Sequence, residues 1–106
     1  MSTVTERASA LRAILDANRV ALADVLARYG AANPRIFGSV ARGDARIDSD
    51  VDLLVDLDPT GGNPLLRVAG IGEELSRLLG VRVDVVADEL LRDPVSATAR
   101  RDMVAL

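Results

Sequence analysis

GSVARGDARIDSDVDLLVDL, residues 38–57, holds the turn and the strand on which the fold is decided. Its second half, VDLLVDL at 51–57, alternates with the two-residue period of a strand. Val51, Leu53, Val55 and Leu57 fall on one face, and Asp50, Asp52 and Asp56 on the other. Its first residues, Gly38-Ser39, follow the short apolar segment Arg35-Ile36-Phe37. That order predicts a strand giving way to a brief helical turn over Val40 to Arg42.

Working outward, Thr3 and Glu6 form a capping-box pattern at the start of a helix. Leu11, Ile14, Leu15, Leu22, Val25 and Leu26 follow at mostly helical spacing until Gly30, with a break near Asn18 that would make two helices. Downstream of the strand, Asn63-Pro64 starts a helix and Gly80 caps it. VRVDVV at 81–86 is a second strong strand, with Val81, Val83 and Val85 toward the core. Asp93-Pro94 opens a last helix, to which Val95, Met103 and Leu106 would give an apolar stripe. The expected architecture is a small α/β (α+β) sandwich, about three strands flanked by helices, in one domain over residues 1–106.

Composition removes whole classes of chemistry. With 106 residues, 49% hydrophobic and 27% charged, the chain suits one compact domain. It has no Cys, which excludes disulfides, thiolate metal sites and cysteine nucleophiles. It has no His, which excludes imidazole bases and ligands, so any metal must be held by oxygen. Oxygen donors favour hard cations, Mg²⁺ or Mn²⁺. One Tyr, one Phe and no Trp leave little for base stacking. All 13 basic residues are Arg, the net charge is −3, and stable nucleic-acid binding is disfavoured. No apolar run reaches membrane-spanning length and the N-terminus lacks a signal-peptide core, so a cytoplasmic protein with no membrane partner is expected.

Asp50 and Asp52, at i and i+2, lie on one strand face roughly 6.6–7 Å apart. Carboxylates so placed can share divalent cations, and two such ions can clamp a phosphoryl-transfer transition state. The plain alternative is a polar strand face meeting water. The pair is not alone, because Gly-Ser-x10-Asp-x-Asp is expected by chance only about 0.005 times in a chain of this composition. Gly38 lets backbone amides approach an anion, and Ser39 adds a hydroxyl at the positive end of a helical turn. A turn glycine followed by an N-cap serine is the alternative there. Asp84 sits in the middle of a strand that otherwise reads as buried, and a buried carboxylate needs compensation. Its partner is either Arg82 or another arginine in an ion pair, or a metal shared with Asp50 and Asp52. Asp56 and Asp58 are weaker candidates, since they run away from Asp50.

The 38–57 stretch resembles the signature of the polymerase-β-type nucleotidyltransferases. Ala41-Arg42-Gly43 and Ser49-Asp50-Val51-Asp52-Leu53-Leu54-Val55 are similar to the minimal nucleotidyltransferase branch, and the VRVDVV strand matches the place of that family's third carboxylate. The resemblance, covering roughly Ile36 to Val86, implies a mixed sheet. It also implies that Gly38 and Ser39 hold the triphosphate of ATP, with Arg42 and Ser49 as further nucleotide contacts. Asp50 and Asp52 would bind a pair of Mg²⁺ ions, and Asp84 would complete the catalytic metal site and assist deprotonation of the attacking hydroxyl. Only about 20 residues follow Val86, so the acceptor is expected to be held by another protein. Members of this size are antitoxins that transfer AMP to a tyrosine of a cognate helical HEPN-domain toxin, and that partner is the expectation here. Transfer to RNA or a small molecule, and a silent antitoxin acting by binding alone, are the competing readings.

Overall fold

A computed structural model describes residues 4–90 and 103–106. Helices α1 (Glu6–Ala17) and α2 (Arg19–Arg28) lead into strand β1 (Ala31–Phe37) and the short helix α3 (Gly38–Arg42). Strand β2 (Val51–Leu57), helix α4 (Pro64–Leu79) and strand β3 (Val83–Ala87) follow. A single 3-10 turn (Asp88–Leu90) comes next, and the two-residue strand β4 (Val104–Ala105) ends the chain. The sheet order is β3-β2-β1-β4. β1 runs antiparallel to β2 and β4, whereas β2 and β3 are parallel and joined through α4.

The chain does break at Asn18, whose side-chain amide donates to the Ile14 carbonyl at 2.8 Å and so ends α1. The capping residue of α1 is Thr5; Thr3 of the expected capping box lies outside the described residues. Thr5 accepts from the Ala8 amide and donates to the Ala45 carbonyl at 2.6 Å, while its own amide donates to Gly43. One cap therefore starts a helix and pins the segment that leaves α3. Helix α4 has the termini its sequence prescribes. Asn63 accepts from the Leu65 and Leu66 amides, Pro64 follows, and Gly80 closes the helix at φ +70.

Apolar residues of α1, α2 and α4 pack on one face of the sheet. Leu11, Leu15, Leu22, Leu26, Ile71 and Leu75 meet Val51, Leu53 and Val55 in one buried cluster. The acidic face of β2 is left on the other side. Strand β1 begins at Ala31, four residues earlier than its short apolar core suggests, and carries an irregularity between Ala32 and Arg35 at Asn33-Pro34.

Three expectations are corrected here. The sheet has four strands, because Val104 and Ala105 pair with Ile36 and Arg35 and cover what would be an open edge of β1. Val104 and its neighbours Met103 and Leu106 are therefore not on the expected last helix, whose start at Asp93-Pro94 and Val95 lies outside the described residues. Strand β3 also starts at Val83 rather than Val81.

Arg67, 7% exposed, occupies the helical stripe of Ile71, Leu75 and Leu79. Its guanidinium donates to the carbonyls of Tyr29, Asp58 and Gly30 at 2.8, 2.8 and 2.9 Å. It thereby ties the α2–β1 turn to the β2–α4 loop, and a Cβ at Gly61 would overlap it. Arg67→Met would remove three hydrogen bonds made by one charged donor; the Gly30 and Asp58 carbonyls keep backbone partners in the Asp58 and Gly61 amides, and the Tyr29 carbonyl loses its bond, at a cost of about 3 kcal/mol or more. The expected drop in melting temperature is on the order of 12 °C or more, read by thermal unfolding. A drop of only a degree or two would show that the guanidinium is dispensable.

Candidate functional site

Three strand ends converge on Asp52. In the antiparallel β1–β2 pair its register partner is Phe37, the last residue of β1, and in the parallel β2–β3 pair it is Asp84. Register partners point to the same side of a sheet, and adjacent strands lie about 4.8 Å apart. Asp50, two residues before Asp52, shares that side.

After Phe37 the chain turns at Gly38, whose φ of +72 is left-handed. Space as well as torsion demands glycine there, because a Cβ would overlap the Asp52 carboxylate. The turn and the carboxylate are thus in direct apposition. Helix α3 begins at Gly38 with Phe37 as its cap residue, and no side chain caps its first turn. Ser39 is therefore not an N-cap: its carbonyl accepts from Gly43 and Asp44 within the turn, and its hydroxyl has no capping role. The leading amides of α3 lack intrahelical partners, and the Gly38 turn from which they start packs on the Asp52 carboxylate.

Asp50 and Asp84 flank Asp52 with side chains 31% and 50% exposed. The expectation that Asp84 is buried is not met, because β3 is an edge strand and leaves that carboxylate half in solvent. Compensation comes from Arg82, whose Nε stands 3.6 Å from Asp50 Oδ2 and 3.9 Å from Asp84 Oδ1. The member under electrostatic strain is Asp52. Burial first, then the charges of Asp84 and Asp50, push its carboxyl above the ordinary carboxylate value, while Arg42 pulls the other way.

The other predicted residues are placed nearby or elsewhere. Arg42 pairs with Asp44 at 3.3 Å at the end of α3 and acts on Asp52 through its charge. The Ser49 hydroxyl accepts from the Arg46 amide at 2.7 Å and closes the turn that delivers Asp50. Asp56 is committed to structure, accepting from Asn33 at 2.9 Å and Arg35 at 2.7 Å, and these bonds hold its carboxyl below the ordinary range. Asp58 is likewise bound to the backbone amide and hydroxyl of Thr60. Beside Asp84, Val68, Gly72, Ser76 and Val83 help line a groove of about 360 Å³ between α4 and β3.

Among the described residues no three acidic side chains form a closed metal cage. The donors are nevertheless all carboxylate oxygens, and mutual repulsion at Asp52 is what a cation would relieve. Magnesium is commonly held by one or two carboxylates together with substrate phosphates, so this open set fits a hard divalent ion.

A left-handed glycine turn thus packs on an Asp-x-Asp strand, with a third aspartate in register beside it. The chain belongs to the nucleotidyltransferase domain family, whose model matches residues 21–105. It is 37% identical over 94 residues to the protein adenylyltransferase MntA of Thermococcus cleftensis, covering 89% of this chain and 90% of that one. It is 27% identical over 105 residues to an inferred protein adenylyltransferase of Methanocaldococcus jannaschii, covering 98% of each. A solved structure of an inferred minimal nucleotidyltransferase aligns with TM-score 0.67 and 43% identity, over 91% of this chain and 93% of that one. The chain is thus an enzyme of nucleotidyl transfer of the minimal type. No described helix is long and apolar enough to cross a membrane.

Two predictions follow from the apposition at Asp52. Its folded pKa lies above the unfolded value, so the ionised group opposes folding, and stability falls as pH rises from the unfolded value of 3.8 through the folded one. Asp52→Asn is expected to raise the melting temperature of the metal-free chain at pH 7, with the gain vanishing below about pH 4. A lower melting temperature at pH 7 would overturn that account. Gly38→Ala is expected to cost about 1–3 kcal/mol of stability in the left-handed turn. By displacing the Asp52 carboxylate it should also slow nucleotidyl transfer about a hundredfold. Urea titration and a transfer assay check both; wild-type transfer would mean that the close approach is idle.

Proposed function

We propose that this chain is a Mg²⁺-dependent protein adenylyltransferase that moves AMP from ATP to a tyrosine hydroxyl of a helical HEPN-type toxin, silencing it as an antitoxin. The observation that carries this reading is the position of Asp84. It is in register with Asp52 yet half-exposed on the sheet edge, where an acceptor on the surface of another protein can reach it. The protein-acceptor part is supported by the MntA relative, which is a protein adenylyltransferase by name. The tyrosine and the HEPN fold of the partner rest on the resemblance of the 38–57 signature to minimal nucleotidyltransferases.

In this reading the backbone amides of the Gly38-Ser39 turn and the Ser39 hydroxyl bind the triphosphate, with the Arg42 guanidinium close enough to add positive charge. Asp50 and Asp52 hold Mg²⁺ together with the phosphates. The bound metal supplies charge neutralisation at the α-phosphate and the pyrophosphate leaving group. Asp84 orients the attacking hydroxyl and takes its proton as the new oxygen–phosphorus bond forms and pyrophosphate departs. A carboxylate suits this task without histidine, since the hydroxyl loses its proton only as the bond forms.

The test is mass spectrometry of the toxin after incubation with ATP and Mg²⁺. Added AMP on a tyrosine, lost with Asp50→Asn, is the expected outcome. Asp84→Asn should lower transfer by about 10²–10⁴-fold while nucleotide affinity stays within about twofold. Saturating ATP and Mg²⁺ at roughly 100 times the dissociation constant should stabilise the fold by about 2.7 kcal/mol. A complex that silences the toxin without changing its mass would replace this reading with inhibition by binding. Label appearing on RNA instead would replace the acceptor.

A further inference from the structure

We propose that Arg82 is a resident counter-ion of this site, standing between Asp50 and Asp84 while no metal is bound and yielding when a divalent cation is taken up by Asp50 and Asp52. The proposal rests on the metal reading above and adds to it a residue that sets metal affinity.

The geometry gives Arg82 an unusual status among the ion pairs of the molecule. Its backbone is fixed at the level of the carboxylates, since its carbonyl accepts from the Val51 amide at 3.0 Å. Its side chain is 75% exposed and reaches back over the acidic face. The two contacts it makes, 3.6 Å to Asp50 and 3.9 Å to Asp84, are too long to be hydrogen bonds. Arg35 makes the opposite kind of pair on the same sheet face, a 2.7 Å hydrogen-bonded contact to Asp56. Arg35 is committed to its partner, whereas among the described residues Arg82 is held by the field of two acids alone.

Charge then dictates the exchange. A divalent ion drawing on the oxygens of Asp50 and Asp52 comes within a few ångströms of the guanidinium, and two cations so close repel. The ion carries twice the charge and coordinates directly, so the flexible, solvated arginine is the group that moves. While it stays, it lowers the repulsion among Asp50, Asp52 and Asp84, and it taxes every metal-binding event by the pair energy it must give up. Exposed pairs are individually weak, so the penalty is modest.

The experiment is a Mn²⁺ titration followed by electron paramagnetic resonance, with Mn²⁺ alone and again with a non-hydrolysable ATP analogue. Arg82→Gln is expected to bind Mn²⁺ about three- to tenfold more tightly than wild type, and Arg82→Lys to stay within about twofold of wild type because it keeps the charge. The gain in Arg82→Gln should shrink as KCl rises from about 0.05 to about 0.5 M, as screening weakens the pairs that wild type must break. Thermal unfolding of the metal-free variants confirms that each is folded. Unchanged or weaker Mn²⁺ binding by Arg82→Gln, with Asp50→Asn still abolishing it in wild type, overturns the role of Arg82 alone. Mn²⁺ binding that survives Asp50→Asn, or that is absent in both wild type and Arg82→Gln, overturns the metal reading itself.

Discussion

Everything at the site depends on one register constraint, the pairing of Asp52 with Phe37 on one side and Asp84 on the other. Because the side-chain period of a strand is two, a one-residue slip of β2 would turn Asp52 into the core and Leu53 out of it. The cost of burying a carboxylate among Leu11, Ile71 and Leu75 forbids that slip. The apolar half of VDLLVDL therefore positions the acidic half. The Gly38 turn needs no independent guidance, since it lies one residue beyond the last rung of the β1–β2 ladder.

The helices secure this register from behind without contributing a carboxylate to it. Arg67 fastens the β2–α4 loop to the turn before β1, so both strands are anchored at the end remote from Asp52. Thr5 does the corresponding work at the near end by holding Gly43 and Ala45, just after α3. The Ser76 hydroxyl accepts from the Val83 amide at 3.0 Å and fixes the start of β3, next to Asp84. Each tie is made through a backbone group, which is the kind of contact that preserves strand ends while side chains on the open face exchange partners.

Features set by local period and capping were legible in the sequence. Asp50 and Asp52 on one face at the start of β2, Gly38-Ser39 at a strand-to-helix turn, the break at Asn18 and the span of α4 between its caps all follow from local spacing and capping. Features set by strand order were not. The alternation of VRVDVV is the same in a central strand as in an edge strand, so half-exposed Asp84 was indistinguishable from a buried one. β4 is two residues long and exists only through pairing with Ile36 and Arg35, so no periodicity could announce it. Arg67 did leave a signal, a charged residue four positions before Ile71 and eight before Leu75 in an apolar helical stripe. Reading it required asking what would satisfy an arginine placed there.

The uneven exposure of the three aspartates is the point at which fold and chemistry meet. Asp52 is crowded by Gly38, and burial and two like charges raise its carboxyl above the ordinary value. Asp84 lies on β3 at the sheet edge, and that position leaves it half-exposed and open to an approaching group. Moving β3 inward would bury Asp84 and raise the repulsion at Asp52; removing β3 would relieve Asp52 and leave the site one carboxylate short. An edge strand running parallel to β2 satisfies both demands, and the β2-α4-β3 crossover is what makes a parallel neighbour possible.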